Sequence, residues 1–231
     1  MFGLDPISII ITVATSLVGM FLSNRLKSKF EYYSKIRLMN GKSGREVAEA
    51  MLKHYNITDV QVISVDGFLS DHYNPVNKTV NLSPDVFEGR SIAAAAVAAH
   101  ECGHAVQHAT AYSMLTLRSA IVPVVNFASM GLQFAMAIAF MTINSMPQIM
   151  LITIILFAAT TVFTLITLPV EFDASNRAKA WLRNSNMAMG EENEGVKDAL
   201  WWAAMTYVSA AMSSVLMLVY LIFRYMGATR D

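Results

Sequence analysis

The stretch from Ser119 to Val170 contains 52 consecutive residues without a charged side chain. A helix crosses the hydrocarbon core of a bilayer in about 20 residues, so this stretch is too long for one crossing. It is interrupted only at residues 143–148 (INSMPQ), where asparagine, serine and proline favour a turn. The sequence therefore predicts two membrane-spanning helices, residues 119–141 and 149–170, that form a hairpin.

Two further apolar stretches, residues 4–22 and 203–223, are also long enough to cross a bilayer. The first has no basic residue before it and a basic segment, NRLKSKF, after it, which is the reverse of a cleaved signal peptide. We therefore expect an uncleaved N-terminal anchor and about four spans in all. The composition, 55% hydrophobic and only 15% charged, is also typical of membrane proteins rather than of soluble domains.

The basic residues are confined to alternate segments of the chain. Of the 17 lysines and arginines, 11 lie between the first and second spans, none in the hairpin turn, four between the third and fourth spans, and two after the fourth. Because basic residues accumulate on the cytoplasmic side, we expect both polar segments, residues 24–118 and 171–202, in the cytoplasm and both termini outside. The two polar segments would then meet on one face of the membrane.

Charge and cysteine content exclude several classes of function. The net charge is zero, so no basic field favours nucleic acid as a partner. Cys102 is the only cysteine, which rules out an internal disulfide and a four-cysteine zinc site. Any chemistry must therefore come from local motifs.

The first polar segment predicts a small α+β arrangement. Apolar residues recur at helical spacing in KSGREVAEAMLKHYNI, with Ser43 and Gly44 as cap residues. Residues 60–83 alternate in their first part and contain Asp-Gly and Asn-Pro turn dipeptides, which predicts two or three short strands. Ser91 then precedes IAAAAVAAHECGHAVQHA, an alanine-rich helix whose apolar run is too short to span a bilayer.

This helix contains the motif HECGH, residues 100–104. Side chains four residues apart lie on the same helix face, so His100 and His104 can bind one metal ion. Glu101 is turned by about 100 degrees, beside the metal without being a ligand, where it can act as a general base. Zinc would lower the pKa of a bound water and polarise a peptide carbonyl, which are the parts of a hydrolase. The alternative is a chance pattern, which is rare in a chain with five histidines.

A catalytic zinc site needs a third protein ligand and an open position. We favour Glu171, the first charged residue after the uncharged stretch, in LPVEFDASNRAKAWL. His108 continues the face of the two motif histidines, but three successive turns of one helix do not wrap readily around one ion. His54 and His72 are the other, less favoured alternatives.

The residues after the third candidate ligand could support it. A helix beginning at Pro169 would turn Glu171 and Ser175 to one face, and Asp173 and Arg177 to another. Ser175 could then orient a ligating group by a hydrogen bond. Asp173 and Arg177 are more simply interpreted as an ion pair on the helix surface.

The stretches SDHYNP, VNLSP, AAHECGHAVQ and LPVEFDAS resemble the YugP-type neutral zinc metallopeptidases of bacteria, which are membrane gluzincins with HtpX-like and CAAX prenyl proteases as distant relatives. The resemblance covers most of the chain. It implies zinc held by His100, His104 and Glu171, with Glu101 as catalytic base, in a bacterial cell membrane. The distant relatives usually have aspartate where this chain has Ser175, so the group that orients the ligating histidine is left open.

Zincins in general bind an extended peptide along an edge strand that precedes the metal-binding helix. Residues 77–83, NKTVNLS, are placed for that role, with an ordinary covered strand as the alternative. His72 or Tyr73 could donate a hydrogen bond or a proton to the oxyanion of the substrate.

The expected fold is a zincin-like α+β domain combined with a bundle of about four transmembrane helices, and it is mainly α. Its parts follow one another along the chain: an N-terminal anchor (1–23), a cytoplasmic catalytic part with the HExxH helix (24–118), a transmembrane hairpin (119–170), a cytoplasmic helix with the third ligand (171–202), and a last transmembrane helix with a short tail (203–231).

The expected function is a membrane-embedded zinc endopeptidase that cleaves membrane-associated or misfolded proteins, with its catalytic part in the cytoplasm. A site-two-type intramembrane metalloprotease is one alternative, but it requires an aspartate in a later span, and these spans have none. A non-enzymatic zinc-binding scaffold is the other. Structural zinc sites usually take four cysteine or histidine ligands, and Cys102 would point away from His100 and His104.

Overall fold

The computed structural model describes residues 6–67 and 70–229 of the 231-residue chain. Residues 4 and 5 of the expected first span lie outside the described residues, as do the last two residues of the expected tail. Within the described ranges the protein is mainly helical with one small sheet. The elements are α1 (Pro6–Ser34), α2 (Gly44–His54), β1 (Gln61–Ser64), β2 (His72–Asn74), β3 (Thr79–Leu82), α3 (Pro84–Phe87), α4 (Ile92–Ala109), α5 (Ser113–Thr142), α6 (Pro147–Asn184) and α7 (Glu191–Ala228).

Tertiary contacts divide the chain into two compact units. Of the described residues, the apolar unit comprises 6–22, 117–168 and 206–229, and the polar unit comprises 23–67, 70–116 and 169–205. Helices α1, α5, α6 and α7 each contribute residues to both units.

The apolar unit contains the parts of the chain that suit a bilayer. Helices α1, α5, α6 and α7 are each long and apolar enough to cross a membrane, so each of the four expected spans lies in a helix of sufficient length and hydropathy. Large apolar side chains on α5 face outward, including Phe127 (76% exposed) and Phe134 (73% exposed), where lipid would solvate them. Helix α5 ends at Thr142 and α6 begins at Pro147, so the predicted hairpin turn is confirmed.

The long helices extend beyond the predicted spans. Helix α6 runs without a break from Pro147 to Asn184, so the expectation that a new helix begins at Pro169 is wrong. A proline removes one backbone donor, and long apolar helices tolerate that loss because neighbouring groups compensate for it. The segment with Glu171 is therefore a continuation of the third span rather than a separate helix.

The polar unit contains a three-stranded sheet in the order β1-β3-β2. Strand β1 is parallel to β3, and β2 is antiparallel to β3. The strand predicted within residues 77–83 is therefore central. Of its two expected roles, the edge strand is wrong and the covered strand is the one observed. The parallel pairing brings β1 beside β3 across a connection that contains β2, which local alternation of residues cannot reveal. Among the described strands, β2 is an edge strand and precedes the motif helix.

Helices α2 and α4 begin as the sequence predicts. Ser43 accepts a hydrogen bond from the Glu46 backbone, and the Glu46 carboxylate accepts one from the Ser43 backbone. Ser91 caps α4 by accepting from the Ala94 backbone at 3.2 Å. The core of the polar unit combines residues of α2, β3, α4, α6 and α7, including Val47, Met51, Val80, Leu82, Ile92, Ala99, Leu182 and Val196.

Candidate metal centre

The two histidines of the HECGH motif face the same way from α4. Their ring centroids are 4.9 Å apart, and the ring planes are nearly perpendicular. This arrangement follows from their spacing of four residues on a regular helix. Both side chains are mostly buried, because α4 is covered along most of its length by the rest of the polar unit.

Helix α6 brings a carboxylate to the same point. Glu171 Oε2 lies 3.4 Å from His100 Nε2 and 3.6 Å from His104 Nε2. Among the described residues these three form a group whose ligand atoms all lie within 4.8 Å of one another. The structure thus brings together the three residues predicted as metal ligands.

The three residues fit a zinc ion by chemistry and by spacing. Glu171 Oε2 is buried and, within the described ranges, accepts no hydrogen bond that meets ordinary geometry. A buried carboxylate oxygen without a partner is unfavourable unless something cationic satisfies it. Zinc bonds of roughly 2.0–2.1 Å in a tetrahedron separate neighbouring ligands by about 3.4 Å, close to the two distances measured here.

Gly103, inside the motif, allows the two helices to approach closely. A Cβ atom at this position would lie 2.6 Å from the backbone oxygen of Ala174 on α6, which is closer than real Cβ atoms come. At this point the backbones of α4 and α6 are therefore in direct contact, with no side chain of Gly103 between them. This close approach is what allows the short Glu171 side chain to reach both imidazoles.

Each motif histidine also has a partner at its other ring nitrogen. His100 Nδ1 lies 3.1 Å from Ser175 Oγ. His104 Nδ1 lies 3.0 Å from Gln107 Oε1. The sequence had suggested Ser175 as an orienting residue, whereas it gave no role to Gln107. The spacing of three residues between His104 and Gln107 on one helix was the signal that could have found it.

Gln107 connects the motif helix to α6. Its amide nitrogen donates to Val170 O at 2.7 Å and to Asp173 Oδ2 at 2.8 Å. Asp173 also pairs with Arg177 at 2.6 Å, which is the ion pair that the sequence suggested. Arg177 in turn lies over the ring of Tyr112. Asp173 is therefore more than a surface partner of Arg177, because it also holds a buried amide beside His104.

Glu101 lies beside the two imidazoles but outside the three-residue group. Its Oε2 atom accepts a hydrogen bond of 3.0 Å from the Tyr73 backbone N–H on strand β2. The side chain is buried, so this contact fixes one carboxylate oxygen and leaves the other available. The sheet thus positions the residue predicted as general base.

The remaining candidate residues lie in three different places. The hydroxyl of Tyr73 is 3.0 Å from Nδ1 of His108, which is exposed and outside the three-residue group. His72 is exposed, with Nδ1 2.7 Å from Ser70 O, and strand alternation turns it to the sheet face opposite Tyr73. His54 packs against Tyr55 and Trp181.

The pKa values of two residues in the motif, His104 and Cys102, are raised for different physical reasons. Burial alone would lower the pKa of His104, but Glu171 and Glu101 outweigh burial and raise the pKa of the imidazole above its usual 6.5. Burial raises the pKa of the Cys102 thiol, whose sulfur contacts Ala48 O in the core. Cys102 is therefore a core residue and not a ligand.

Comparisons with known proteins identify a family of zinc peptidases. A family model described as "Putative neutral zinc metallopeptidase" matches residues 8–226. The chain is 44% identical over 207 residues to the "Putative membrane protease YugP" of Bacillus subtilis (strain 168), which covers 90% of this chain and 91% of that protein. No solved structure matches the chain.

Proposed function

The chain belongs to the family described as putative neutral zinc metallopeptidases, and from this premise we propose that it is a membrane-embedded zinc endopeptidase of the gluzincin type. Zinc is the cofactor of this family, and one group of described residues could hold it. The observation that carries the proposal is the buried Glu171 Oε2 atom, which lies beside the imidazoles of His100 and His104 and, within the described residues, accepts no hydrogen bond of ordinary geometry.

In this proposal His100, His104 and Glu171 hold the ion. Two neutral imidazoles and one carboxylate are a donor set typical of catalytic zinc, which leaves a fourth position open. Zinc, when bound, supplies a Lewis acid that lowers the pKa of a water molecule and polarises the scissile carbonyl. The remaining tasks belong to the side chains and backbone of this chain.

Glu101 is the proposed general base. One of its oxygens is held by the Tyr73 N–H, so the other can accept a proton from water while the water oxygen forms its bond to the carbonyl carbon. When the C–N bond breaks, Glu101 returns that proton to the leaving nitrogen. Burial of Glu101 keeps bulk water from competing for the proton.

Tyr73 is the proposed stabiliser of the developing oxyanion, in preference to His72. Its side chain lies on the α4 side of the sheet and reaches His108, one turn beyond His104. A phenol at that place can donate a hydrogen bond to the negative oxygen of the substrate. The exposed ring of His72 is turned to the other face.

The outer edge of β2 is the proposed binding surface for an extended substrate. The Tyr73 N–H points to Glu101, so Tyr73 and Val80 form a pair that exchanges no ladder hydrogen bonds. The Tyr73 C=O lies on the same outer edge and is an acceptor for a substrate N–H. Pairing with this edge would align a peptide beside Glu101.

The remaining expectations complete the proposal. A zincin-like α+β fold for the polar unit is supported by a sheet that precedes an HExxH helix. The expected domain order (1–23, 24–118, 119–170, 171–202, 203–231) and a cytoplasmic position of the polar segments are supported by the distribution of lysine and arginine. The proposed substrates are membrane-associated or misfolded proteins of a bacterial cell membrane, by analogy with the HtpX-like proteases that the sequence resembles distantly. The name of the 44% identical relative supports a membrane protease.

The test compares full-length wild type with Glu101→Gln in detergent micelles. Zinc content and cleavage of fluorescein-labelled casein are measured in the same preparations. We expect Glu101→Gln to retain one zinc per chain and to lose at least about a thousandfold in turnover, because the base is removed and the ligands stay.

The matched control is Glu49→Gln, since Glu49 is an exposed acid paired with Arg45 on α2. It should keep both zinc and turnover. Undiminished cleavage by Glu101→Gln would refute the proposed mechanism. Wild type that contains no zinc after purification in zinc-supplemented buffer would refute the site itself.

A further inference from the structure

Gln107 is a polar residue in an unusual place. Its side chain is completely buried on α4, in a core otherwise made largely of apolar residues. Both donor hydrogens of its amide are used, since Nε2 donates to Val170 O and Asp173 Oδ2, and Oε1 lies against His104 Nδ1. A buried amide with these three contacts is held in a single orientation, because the reversed amide would turn its oxygen towards two acceptors.

The surroundings decide which way the amide points. Val170 offers a carbonyl oxygen and Asp173 a carboxylate oxygen, and both groups can only accept hydrogen bonds. The NH2 group of Gln107 must therefore face them, and its oxygen must face His104. An oxygen at that position can only accept, so His104 Nδ1 must carry the hydrogen.

The consequence lies on the other side of the imidazole ring. A neutral imidazole with hydrogen on Nδ1 has its lone pair on Nε2, the atom that lies 3.6 Å from Glu171. His100 is held differently, because the Ser175 hydroxyl can either donate or accept at Nδ1. The two histidines therefore have unequal support, and only His104 has its tautomer imposed.

Asp173 strengthens the hold of Gln107 on His104. Its Oδ2 atom receives hydrogen bonds from both Gln107 and Arg177, so the carboxylate is fixed by a cation at one side and polarises the amide at the other. Negative charge thus acts on His104 through a neutral amide rather than by direct contact.

We propose that Gln107, oriented by Asp173, is a positioning residue that sets the metal-binding tautomer of His104. The inference rests on the zinc site of the proposed function but adds a role to residues that bind neither metal nor substrate. Ser175 contacts His100 directly. The Asp173 carboxylate, two residues earlier, acts on His104 through the Gln107 amide.

The test measures zinc affinity of the full-length protein in micelles by competition with a chelator. Gln107→Leu keeps the volume but loses the acceptor, and we expect the zinc affinity to fall by about 10- to 100-fold. Gln107→Glu should also weaken binding, because it places a second carboxylate against Asp173. The double variant Gln107→Glu with Asp173→Asn restores a donor–acceptor pair of reversed direction, and it should bind zinc about tenfold more tightly than Gln107→Glu alone.

A spectroscopic measurement separates positioning from packing. In zinc-free protein with 15N-labelled histidine, at a pH where the imidazole is neutral, the His104 ring nitrogens should report hydrogen on Nδ1 in wild type and a mixture of tautomers in Gln107→Leu. Ser175→Ala is the matched control and should leave the His104 signals unchanged. Helical circular dichroism checks that each variant is folded. Asp173→Asn removes the charge and replaces one carboxylate oxygen with an NH2 group, so it should loosen the orientation of Gln107 and lower the zinc affinity, and it serves if Gln107→Leu does not fold.

The measurements distinguish failure of the Gln107 role from failure of the zinc site itself. Zinc-binding wild type combined with wild-type affinity in Gln107→Leu, or with no rescue in the double variant, would overturn the positioning role alone. In the fallback variant Asp173→Asn, an unchanged His104 tautomer and unchanged affinity would have the same effect. Wild type without zinc would overturn the proposed site as a whole.

Discussion

Helix α6 makes two contacts of different kinds, one in each unit. In the apolar unit it meets α5 through side chains: a Cβ atom on Gly131 would lie 3.7 Å from the Leu156 Cδ1 atom, an ordinary contact. In the polar unit it meets α4 through backbone, where Gly103 leaves no room for a Cβ atom against Ala174. The closer contact is the one that carries polar chemistry.

These two contacts show how one long helix can serve two environments. Contact through large side chains tolerates adjustment, because flexible ends move by fractions of an ångström at little cost. Contact through backbone does not adjust, so the atoms it carries are fixed relative to one another. Three ligand atoms within 4.8 Å require the second kind of contact.

The largest expected effect comes from removing the ligand that α6 carries. Glu171→Gln keeps the shape of the side chain but loses the charge, and zinc affinity should fall by more than about 100-fold, beyond the loss typical of an orienting residue. The control is Thr153→Ala, on the same helix within the apolar unit, which should bind zinc like wild type. Equal zinc affinities of wild type and Glu171→Gln would show that Glu171 is not a ligand of the metal.

The next effect tests the two contacts directly. Gly103→Ala should destabilise the protein by about 1–3 kcal/mol, because a methyl group cannot fit against backbone. Gly131→Ala should be neutral or slightly stabilising, since its surroundings have room and alanine favours helix. Denaturant unfolding of the two variants in identical micelles measures the difference. Equal stabilities would mean that the two contacts are not of different kinds.

A smaller effect is expected from pH. The pKa of His104 is raised in the zinc-free protein by Glu171 and Glu101, despite burial. Zinc requires a neutral imidazole, so protons compete with it, and affinity should begin to fall at a pH above 6.5 and decline by up to about tenfold per pH unit below that. Chelator competition between pH 5 and 8 measures the curve. An affinity that stays constant down to a pH below 6 would contradict the raised pKa.

The smallest effect belongs to the apolar unit. Thr153 Oγ1 lies 3.2 Å from Ala135 O across the helix contact, but it also lies 2.9 Å from Ile149 O on its own helix. Because the hydroxyl shares its one hydrogen between the other helix and its own, it contributes little to the helix contact, and its removal in Thr153→Val should cost only about 0.6 kcal/mol in an unfolding titration with sodium dodecyl sulfate. A loss above about 2 kcal/mol would show that a hydrogen bond contributes strongly to the contact between α5 and α6, which we describe as adjustable.

Features with a local cause were predictable from the sequence. The four helices long and apolar enough to cross a membrane follow from uninterrupted apolar length, and the capped starts of α2 and α4 follow from Ser43 and Ser91. The hairpin turn follows from its asparagine, serine and proline residues. The grouping of His100, His104 and Glu171 followed from helical spacing for the first two and from isolation in an apolar stretch for the third.

Features with a long-range cause were not predictable in this way. The strand order places β3 in the centre because β1 pairs with it in parallel, and no local pattern encodes that choice. Continuity of α6 through Pro169 depends on surroundings that compensate for the lost donor, whereas local rules predict a helix start there. The role of Gln107 emerges only when Val170 and Asp173 are seen on its far side.

The buried Cys102 makes this protein convenient for mapping its orientation. A thiol enclosed in the core with a raised pKa gives almost no thiolate to react, so a maleimide added to intact cells would label only cysteines introduced by design. Val76 and Ser145 are exposed sites in the β2–β3 turn and in the hairpin turn. If the polar segments are cytoplasmic, an impermeant reagent reacts with Ser145→Cys and spares Val76→Cys, and the single native thiol, which is buried, does not contribute to either signal.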